Sequence, residues 1–502
     1  MQLATLVEAS SAVAGTRSRT AKTAALASAL QAMEADEVAI GASYLAGRSR
    51  PARLDVGWAA VGAVEAAPRA VPQLRLTDVD QALHALPATS GEGSRRARHD
   101  VLTALFGQAT TQEQSFLRGL ILGELRQGAL EGIVAQAIAQ AWNADETLVR
   151  RALMLEADLG EVARAALEGG SDALRAFTLE LFRPVRPMLA QTSGAVADAV
   201  DGEVRVEWKL DGARVQVHRR DERVAVYSRS LFDVTPRCPE VVAAVADLDV
   251  RAIILDGEML VLGSDGKPLA FQDTMGRIGR DERSASEPTL TPFFFDCLHL
   301  DGVDLLDEPL TVRTEALTRA VPDNLRVPGV LARTTQEAER MLHDALERGH
   351  EGVVVKERAA PYAAGRRGAA WRKVKPVHTL DLVVLAVEWG SGRRQGWLSN
   401  LHLGARAPDS DGFVMLGKTF KGMTDAQLAW QTEHLLNLET HRTGHVVHVR
   451  PDLVVEVAFD GVQTSSRYPG GVTLRFARIK GYRPDKHASE ADTLDSIRSL
   501  RA

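Results

Sequence analysis

The segment EWKLDGAR, residues 207–214, decides how the middle of this 502-residue chain is interpreted. On a β-strand alternate side chains share a face, so Glu207, Lys209 and Asp211 lie on one face while the residues between them point into the core. A lysine between two acids on one face is an unusual arrangement for stability alone. The plain alternative is a ladder of surface ion pairs on an edge strand, so the segment needs support from elsewhere in the chain.

Three other segments repeat this combination of acids and lysines beside apolar strands. They are DGE at 256–258, EGVVVK at 351–356 and WRKVK at 371–375. Each of them alone is equally well explained as a charged strand end. Together they supply carboxylates for a divalent metal and cations for phosphate groups, a combination typical of phosphoryl or nucleotidyl transfer.

The character of the sequence changes twice, which predicts three domains. Residues 1–183 are rich in helix formers with apolar residues near a 3.6-residue period. Residues 184–379 alternate β-type runs with helical patterns, and residues 380–502 contain about five short strands, two of them at 446–459 and 473–479, with one helical pattern. The predicted fold class is multidomain, with an all-α N-terminal domain, an α+β domain and a C-terminal oligonucleotide-binding (OB-fold) β-barrel.

Charge is balanced overall but concentrated locally. The formal net charge is −6, which gives no hint of a polyanionic partner. Residues 356–378 nevertheless carry seven Lys/Arg against one acid, and residues 467–486 carry six against one. Both runs are interleaved with aromatic residues, so we expect phosphate-binding sites there, with two solvated faces as the alternative.

Cysteine usage and hydropathy exclude several classes of protein. The chain has two cysteines, Cys238 and Cys297, which excludes a disulfide scaffold or a cysteine-rich zinc module and fits a reducing cytoplasm. Every apolar stretch falls well short of the ~18 residues that a membrane span requires, so we expect no such span.

One nucleotide-binding motif is rejected. GFVMLGKT at 412–419 matches the GxxxxGK[ST] pattern of phosphate-binding loops. That motif needs a glycine-rich loop between a strand and a helix. Here the spacer is itself a strand sequence, and the next helical pattern begins only at Thr424. We therefore predict a barrel strand and its turn at this place.

Seven blocks follow one another along the chain: KLDGAR (209–214), YSRS (227–230), LDGEML (255–260), FFFDCL (293–298), EGVVVK (351–356), WRKVK (371–375) and RPDK (483–486). Their order resembles that of the ATP-dependent DNA ligases, members of the covalent nucleotidyltransferase superfamily. PMLA at 187–190 and GELRQGA at 123–129 are similar to segments of three-domain cellular ligases that begin with a helical DNA-binding domain. The resemblance covers nearly the whole chain and implies that residues 184–379 form an adenylation domain.

The resemblance also implies a role for each matching residue. Lys209 would be the catalytic nucleophile that attacks the α-phosphate of ATP and carries AMP as lysyl-AMP. The nucleotide-binding residues would be Glu207, Arg214, Arg229, Glu258, Phe295, Arg367, Lys373 and Lys375, with Arg366 an open alternative to Arg367. The ligands of Mg²⁺ would be Asp211, Glu258 and Glu351. The residues that orient the pyrophosphate would be Arg483, Asp485 and Lys486, and a candidate DNA contact in the helical domain is Arg126.

The implied substrate is nicked double-stranded DNA, whose 3′-hydroxyl and 5′-phosphate are joined through adenylylated DNA with ATP and Mg²⁺ as cofactors. Binding through phosphates would depend on salt and would be indifferent to base sequence. We expect a monomer without a membrane partner that acts in the cytoplasm, on the nucleoid in a bacterium.

Alternatives from other classes remain at this point. An RNA ligase or a capping enzyme shares the lysine motif, but the long helical front domain disfavours both. An NAD-dependent ligase is disfavoured because its zinc module needs four cysteines. A non-catalytic clamp on nicked DNA is a further alternative, against which the intact acids and lysines argue. A role in replication and a role in repair are not distinguished.

Overall fold

The computed structural model describes residues 1–51, 53–89, 91, 93–125, 131–279, 289–363, 367–408 and 412–500. Within these residues the chain forms a helical region, a middle region of two sheets and a C-terminal strand-rich region. The predicted fold class is thereby confirmed.

The first region consists of helices that share one apolar core. At the start of α7 (Thr111–Ile121), Thr110 accepts a hydrogen bond from the Glu113 amide and the Glu113 carboxylate accepts one from the Thr110 amide, which satisfies two amides that lack a partner within the helix. Gly123, at φ +67°, follows the end of α7 in the left-handed conformation that glycine adopts without steric cost. The helices are α1 (Leu3–Gly15), α2 (Arg19–Gln31), α3 (Ala35–Leu45), α4 (Trp58–Gly62), α5 (Leu76–Ala88), α6 (Ser94–Gln108), α7 (Thr111–Ile121), α8 (Glu131–Ala141), α9 (Glu146–Leu155) and α10 (Leu159–Arg175).

The middle region alternates strands and helices. Its elements are β1 (Leu189–Thr192), β2 (Val204–Lys209), β3 (Ala213–Arg220), β4 (Arg223–Ser228), α11 (Pro239–Ala246), β5 (Ala252–Val261), α12 (Phe271–Ile278), β6 (Leu290–Leu300), β7 (Val303–Asp304), α13 (Leu310–Ala320), β8 (Gly329–Ala332), α14 (Thr335–Glu347), β9 (Gly352–Glu357) and β10 (Arg367–Val374).

Two five-stranded sheets divide these strands. One has the order β1-β10-β9-β2-β8 and the other the order β4-β3-β5-β6-β7. The chain passes from the first sheet to the second in the short turn between Lys209 and Ala213. A Cβ on Gly212 would lie 2.4 Å from the Met259 carbonyl oxygen, so this close crossing requires glycine. Lys209 therefore stands at the junction of the two sheets.

The C-terminal region is a curved sheet around its own core, with one strand, β11, pairing with β12, β15 and β16. Its elements are β11 (His378–Trp389), β12 (Leu398–Arg406), β13 (Phe413–Thr419), α15 (Asp425–Asn437), β14 (Glu439–Thr443), β15 (Val446–Val449), β16 (Val454–Phe459), β17 (Gly461–Thr464), β18 (Val472–Arg475), β19 (Arg478–Tyr482) and α16 (Leu494–Ser499).

Two predictions about these strands differ from the structure. The run 446–459 is two strands, β15 and β16, because Pro451 has no amide to continue a ladder. The run 473–479 is also broken, at Phe476, whose φ of +56° ends β18 before β19 begins. The rejection of the phosphate-loop motif is confirmed, since Gly417, Lys418 and Thr419 lie inside β13.

The helical and middle regions share a second apolar cluster. Met154 and Leu155 at the end of α9 pack with Val185 and Met188 of the connecting segment and with Trp371 and other side chains of the middle region. The helical region is thereby fixed against the elements that carry the site described below. Among the described residues, no helix has the length and apolar character needed to cross a membrane.

Candidate active site

Lys209 is the last residue of β2 and faces a carboxylate. Its Nζ forms an ion pair with Glu351, and its carbonyl accepts a hydrogen bond from the Glu351 amide at 3.0 Å. Burial would raise the pKa of Glu351, but the ammonium groups of Lys209 and Lys375 outweigh burial and lower that pKa to about 2. Lys209 is thus oriented by a carboxylate that is itself a weak base.

Two more lysines lie near the end of β10, Lys373 within it and Lys375 directly after it. Lys375 Nζ lies 2.8 Å from the second oxygen of Glu351 and is also paired with Asp460 of the strand-rich region. Lys373 lies opposite Val354 of the neighbouring strand β9, two residues along β10 from Lys375 and so on the same face. The side chains of β2 and β10 therefore bring three lysines to one end of the sheet.

The buried end of the pocket is built around Lys356. Its Nζ lies 2.5 Å from one carboxylate oxygen of Glu207 and donates to the Phe295 carbonyl at 3.0 Å. It also lies 4.7 Å from the centre of the Phe295 ring and 4.5 Å from that of Trp371. Arg205 donates to the other Glu207 oxygen at 2.6 Å. This part of the pocket offers a carboxylate acceptor beside an aromatic face, which suits the amino edge and the ring of a purine.

Arg214 is held by a second buried network. Its guanidinium makes a two-point contact with Asp256 at 3.0 and 2.7 Å and donates to the Met188 carbonyl at 2.6 Å. The Tyr362 hydroxyl donates to Asp256 at 2.6 Å and accepts from the Met188 amide at 3.0 Å. Because every donor in this network has a partner, Arg214 is fixed in one orientation at the pocket wall.

The predicted magnesium ligands are present but not gathered. Glu351 is bound to two lysines, and Asp211 is bound to Arg475. Burial raises the pKa of Glu258 to about 7, despite the nearby charges of Arg214 and Lys209. In the part of the chain that the structure describes, no group of three acidic, histidine or cysteine side chains is arranged to hold a metal ion.

This donor set nevertheless fits Mg²⁺. Magnesium is usually bound by one or two carboxylates together with the phosphates of its nucleotide, and it keeps several waters. A cage made of protein groups alone is therefore not expected. Glu258, and Glu351 once its ion pairs with Lys209 and Lys375 exchange for the metal, would supply hard oxygen ligands of the required kind.

Several predicted residues lie away from this pocket. Arg483 and Lys486 are bound to Asp381 of their own region, at 3.2 and 2.5 Å, and Arg483 also pairs with Asp485 at 2.7 Å. Arg229 is exposed in the loop that follows β4. Of Arg367 only the backbone is described, pairing with Leu189. Arg366 and Arg126 lie outside the described residues.

The strand-rich region meets the pocket through another face. Arg475 binds both oxygens of Asp211, with its Nη2 at 3.1 Å, and lies 4.8 Å from the centre of the Phe271 ring. Asp460 joins Lys375 to Arg478, which lies 3.2 Å away. The turn from β16 to β17 and the end of β18 therefore cover the open side of the site.

Sequence reasoning missed four residues of this site: Lys356, Arg205, Asp256 and Tyr362. Lys356 and Asp256 lie inside motifs that the sequence singled out, but no role was assigned to them. The available signal was the spacing of residues along the strands. Arg205 lies two residues before Glu207 on β2, and Lys356 pairs with Arg205 on the neighbouring strand, so both side chains share the face of Glu207 and Lys209. Tyr362 had no such signal.

A strand-end lysine with further cations, buried acids and an aromatic wall is typical of a nucleotidyltransferase. Family models agree: residues 187–375 match the ATP dependent DNA ligase domain, residues 394–486 the ATP dependent DNA ligase C terminal region, and residues 54–139 the DNA ligase N terminus. The chain belongs to the ATP-dependent DNA ligase family, and the resemblance found in its motifs is confirmed.

Full-length relatives show the same relationship. A "Probable DNA ligase" of Saccharopolyspora erythraea is 52% identical, with 99% of this chain and 98% of that one covered. A "Probable DNA ligase" of Anaeromyxobacter sp. is 54% identical over 100% of this chain and 98% of its own. Among solved structures, the chain described as "Pmar-Lig_Pre." has a TM-score of 0.65 at 18% identity, covering 95% and 99% of the two chains, and is similar in fold. The protein is an ATP-dependent DNA ligase, and its family uses ATP with Mg²⁺ as the usual metal.

Proposed function

We propose that this ligase seals nicks in duplex DNA and that Lys209 is the residue that carries AMP. The observation that carries the proposal is the placement of Lys209 at the junction of the two sheets, oriented by Glu351 and flanked by Lys375. The acceptor edge formed by Glu207 and the ring of Phe295 lie on the same side of the sheet as Lys209. A purine bound there presents its phosphates toward the lysines.

The covalent chemistry follows from this arrangement. Lys209 Nζ, as a neutral amine, forms a bond to the α-phosphorus of ATP while the bond to the pyrophosphate oxygen breaks. Glu351 is too weak a base to remove the lysine proton, so it orients the amine, and the proton leaves to solvent. Lys373 and Lys375 offset the charge that develops on the phosphate oxygens. Bound Mg²⁺ would supply further charge neutralisation on the pyrophosphate.

Sealing requires two further displacements. An oxygen of the DNA 5′-phosphate attacks the same phosphorus, which transfers AMP to the DNA and restores the amine of Lys209. The 3′-hydroxyl then attacks the 5′-phosphate and releases AMP, so that one phosphodiester bond forms for each ATP consumed. Arg229, which is exposed in the loop after β4, would meet the incoming DNA phosphate.

We further propose that the strand-rich region uses two faces in turn. In the arrangement described above, Arg475 and Asp460 of one face bind Asp211 and Lys375. This arrangement suits the steps after pyrophosphate has left. The face with Arg483, Asp485 and Lys486 would turn over the pyrophosphate during the first step. Both faces belong to one chain, as do all residues of the pocket, which supports action as a monomer. Cys238 and Cys297 are buried and form no disulfide bond, which supports a place in the reducing cytoplasm.

The proposal is tested by labelling with ATP that carries radioactive α-phosphate, in the presence of Mg²⁺. We expect a label on the protein that survives denaturation and is lost in acid, followed by sealing of a nicked DNA duplex. Lys209→Ala should abolish the label, while Lys267→Ala, an exposed lysine in the same region, should retain it. Thermal unfolding of both variants shows whether the fold is intact.

Each other result points elsewhere. Full labelling of Lys209→Ala would move the nucleophile to another residue. Labelling from GTP or NAD in place of ATP would change the cofactor. Label together with joining of RNA and no sealing of DNA would indicate an RNA ligase, and DNA binding without any label would indicate a non-catalytic clamp.

A further inference from the structure

Phe232 is exposed on a loop whose backbone is tightly fixed. Phe232 is 58% exposed, which is one of the largest exposed fractions among the apolar residues that the structure describes. Its amide donates to the Ser228 hydroxyl at 3.2 Å, and its carbonyl accepts from the Ser228 amide at 2.9 Å. The Leu231 amide donates to the Ser228 carbonyl at 2.8 Å. The loop therefore holds the Phe232 backbone in one position.

The same loop contains backbone strain. Leu231 has φ +68°, a left-handed conformation that is costly for a branched side chain. Asp233 then accepts from the Thr235 amide at 2.8 Å, which ties down the far side of the loop. An apolar ring left in water on a strained turn gains no hydrophobic stabilisation that would offset the strain. This combination indicates that the ring contacts something outside the chain.

The register of the sheet places the loop beside the pocket. Ser228, the last residue of β4, lies opposite Val215 of β3, which in turn lies opposite Gly257 of β5. The residues after Ser228 are therefore level with Arg214 and Glu258, both of the pocket. With about 4.8 Å between strands, the loop begins about 10 Å from Glu258.

The chemistry brings DNA to this loop. The 5′-phosphate at the nick must come within about 3.5 Å of the phosphorus carried by Lys209. A duplex placed in this way lies over the rim of the pocket. The loop begins about 10 Å from Glu258, a distance shorter than the ~12 Å width of the major groove, so a bound duplex also reaches the loop. Aromatic side chains stack on exposed bases or pack on sugars without regard to sequence.

We propose that Phe232 is a positioning residue for the DNA substrate: its ring stacks on a base that flanks the nick and so orients the 5′-phosphate. This inference rests on the proposed sealing of nicks. It assigns an apolar contact to a site whose other groups are charged. The contact would be made only with DNA bound, since the ring lies outside the nucleotide pocket.

The test compares Phe232→Ala and Phe232→Leu with Val303→Ala. Val303 is 59% exposed and lies on β7, at the opposite edge of the same sheet from β4, and therefore serves as the matched control. Lysyl-AMP formation with ATP should be unchanged in all three variants, which also shows that they fold. For sealing by the preformed lysyl-AMP enzyme, Phe232→Ala should raise KM for nicked DNA by at least about fivefold, and Phe232→Leu should raise it less. Val303→Ala should leave it unchanged.

A second substrate identifies the contact. When abasic nucleotides flank the nick on both sides, Phe232→Ala and the parent should seal with equal KM, because the base that the ring would stack on is missing. The inference is overturned if Phe232→Ala seals the intact nick like the parent, or if its loss is the same on the abasic nick. Failure of the parent enzyme to seal any nick would instead overturn the proposed function.

Discussion

At the scale of single residues, the pocket is organised by pairs in which one charge fixes another. Lys209 and Lys375 share Glu351, and Arg205 and Lys356 share Glu207. The first pair fixes the orientation of Lys209, the proposed nucleophile. The second keeps a carboxylate buried beside the rings of Phe295 and Trp371, where the purine is proposed to bind. Both pairs depend on strands that meet only in the folded chain.

Lys356→Met should damage nucleotide binding and stability together. Lys356 and Glu207 are 2% and 3% exposed, so removal of the lysine leaves a buried carboxylate with Arg205 as its remaining cation. We expect a loss of about 3 kcal/mol in the free energy of unfolding and a KM for ATP in lysyl-AMP formation that rises at least about tenfold. Urea unfolding and initial rates of labelling measure the two effects.

A double variant separates the causes. Adding Glu207→Gln to Lys356→Met removes the uncompensated charge, so stability should recover in part while the KM for ATP stays high. Lys267→Met, an exposed lysine, serves as the control for loss of a lysine and should alter neither quantity. Recovery of both quantities in the double variant would refute the role of Glu207 as the purine acceptor.

The lysine motif could be predicted from the sequence, whereas the residues that hold the pocket together from other elements could not. Alternation on one strand correctly places Glu207 and Lys209 on the pocket face. Tyr362 reaches Asp256 over 106 positions in sequence, and the hydrogen bond depends on how the two sheets close. Periodicity describes one element at a time, so a contact between elements is invisible to it.

At the scale of elements, the strand-rich region carries an ion-pair cluster of its own. Glu388 of β11 binds Lys418 of β13 and accepts from His402 at 3.0 Å and Asn400 at 2.7 Å, both of β12. Burial would raise the pKa of Glu388, but these partners lower it from 4.5 to about 2. The lysine of the rejected nucleotide motif therefore joins strands in this sheet.

Glu388→Gln should destabilise the protein in a pH-dependent manner. A carboxyl group whose pKa is lower in the folded state stabilises the fold above its unfolded pKa of about 4.5, and this contribution is lost as the pH falls toward 2. We expect a loss of about 1–2 kcal/mol at pH 7 that shrinks below pH 4. Urea midpoints between pH 7 and pH 3 measure it, with exposed Glu433→Gln as the control. A constant loss across this range would contradict the prediction.

Element boundaries show what a local pattern can and cannot predict. The apolar runs at 204–210, 252–262 and 352–357 predict strands, and the structure forms them at 204–209, 252–261 and 352–357, because each is a buried run between turn signals. The breaks at Pro451 and Phe476 were missed. Proline was a readable signal, whereas the left-handed backbone of Phe476 arises from packing of β18 and β19 on different neighbours.

At the scale of the whole molecule, the strand-rich region is docked by few contacts on charged groups of the pocket. Arg475 holds Asp211, and Asp460 holds Lys375. The Arg475–Asp211 pair is partly exposed, so this contact is weak enough to exchange. A change of partner at these groups would release the region and open the pocket to ATP.

Arg475→Ala and Arg483→Ala should therefore affect opposite halves of the reaction. Arg475→Ala removes a contact of the present arrangement, so we expect sealing by preformed lysyl-AMP enzyme to slow about fivefold, or ~1 kcal/mol, while labelling by ATP is unchanged. Arg483→Ala should slow labelling more than sealing. Single-turnover rates of both steps test this division, and equal losses in both variants would exclude the use of two faces.

The apolar cluster shared by the helical and middle regions has a consequence for engineering a shorter enzyme. A truncation that begins after α10 would leave the apolar partners of Met154 and Leu155 in water, next to the Trp371 ring that flanks Lys356. Such a fragment would aggregate or lose affinity for ATP unless its newly bared surface were redesigned with polar side chains. The helical region is thus not a detachable module, since its apolar residues complete the cluster that packs behind the pocket.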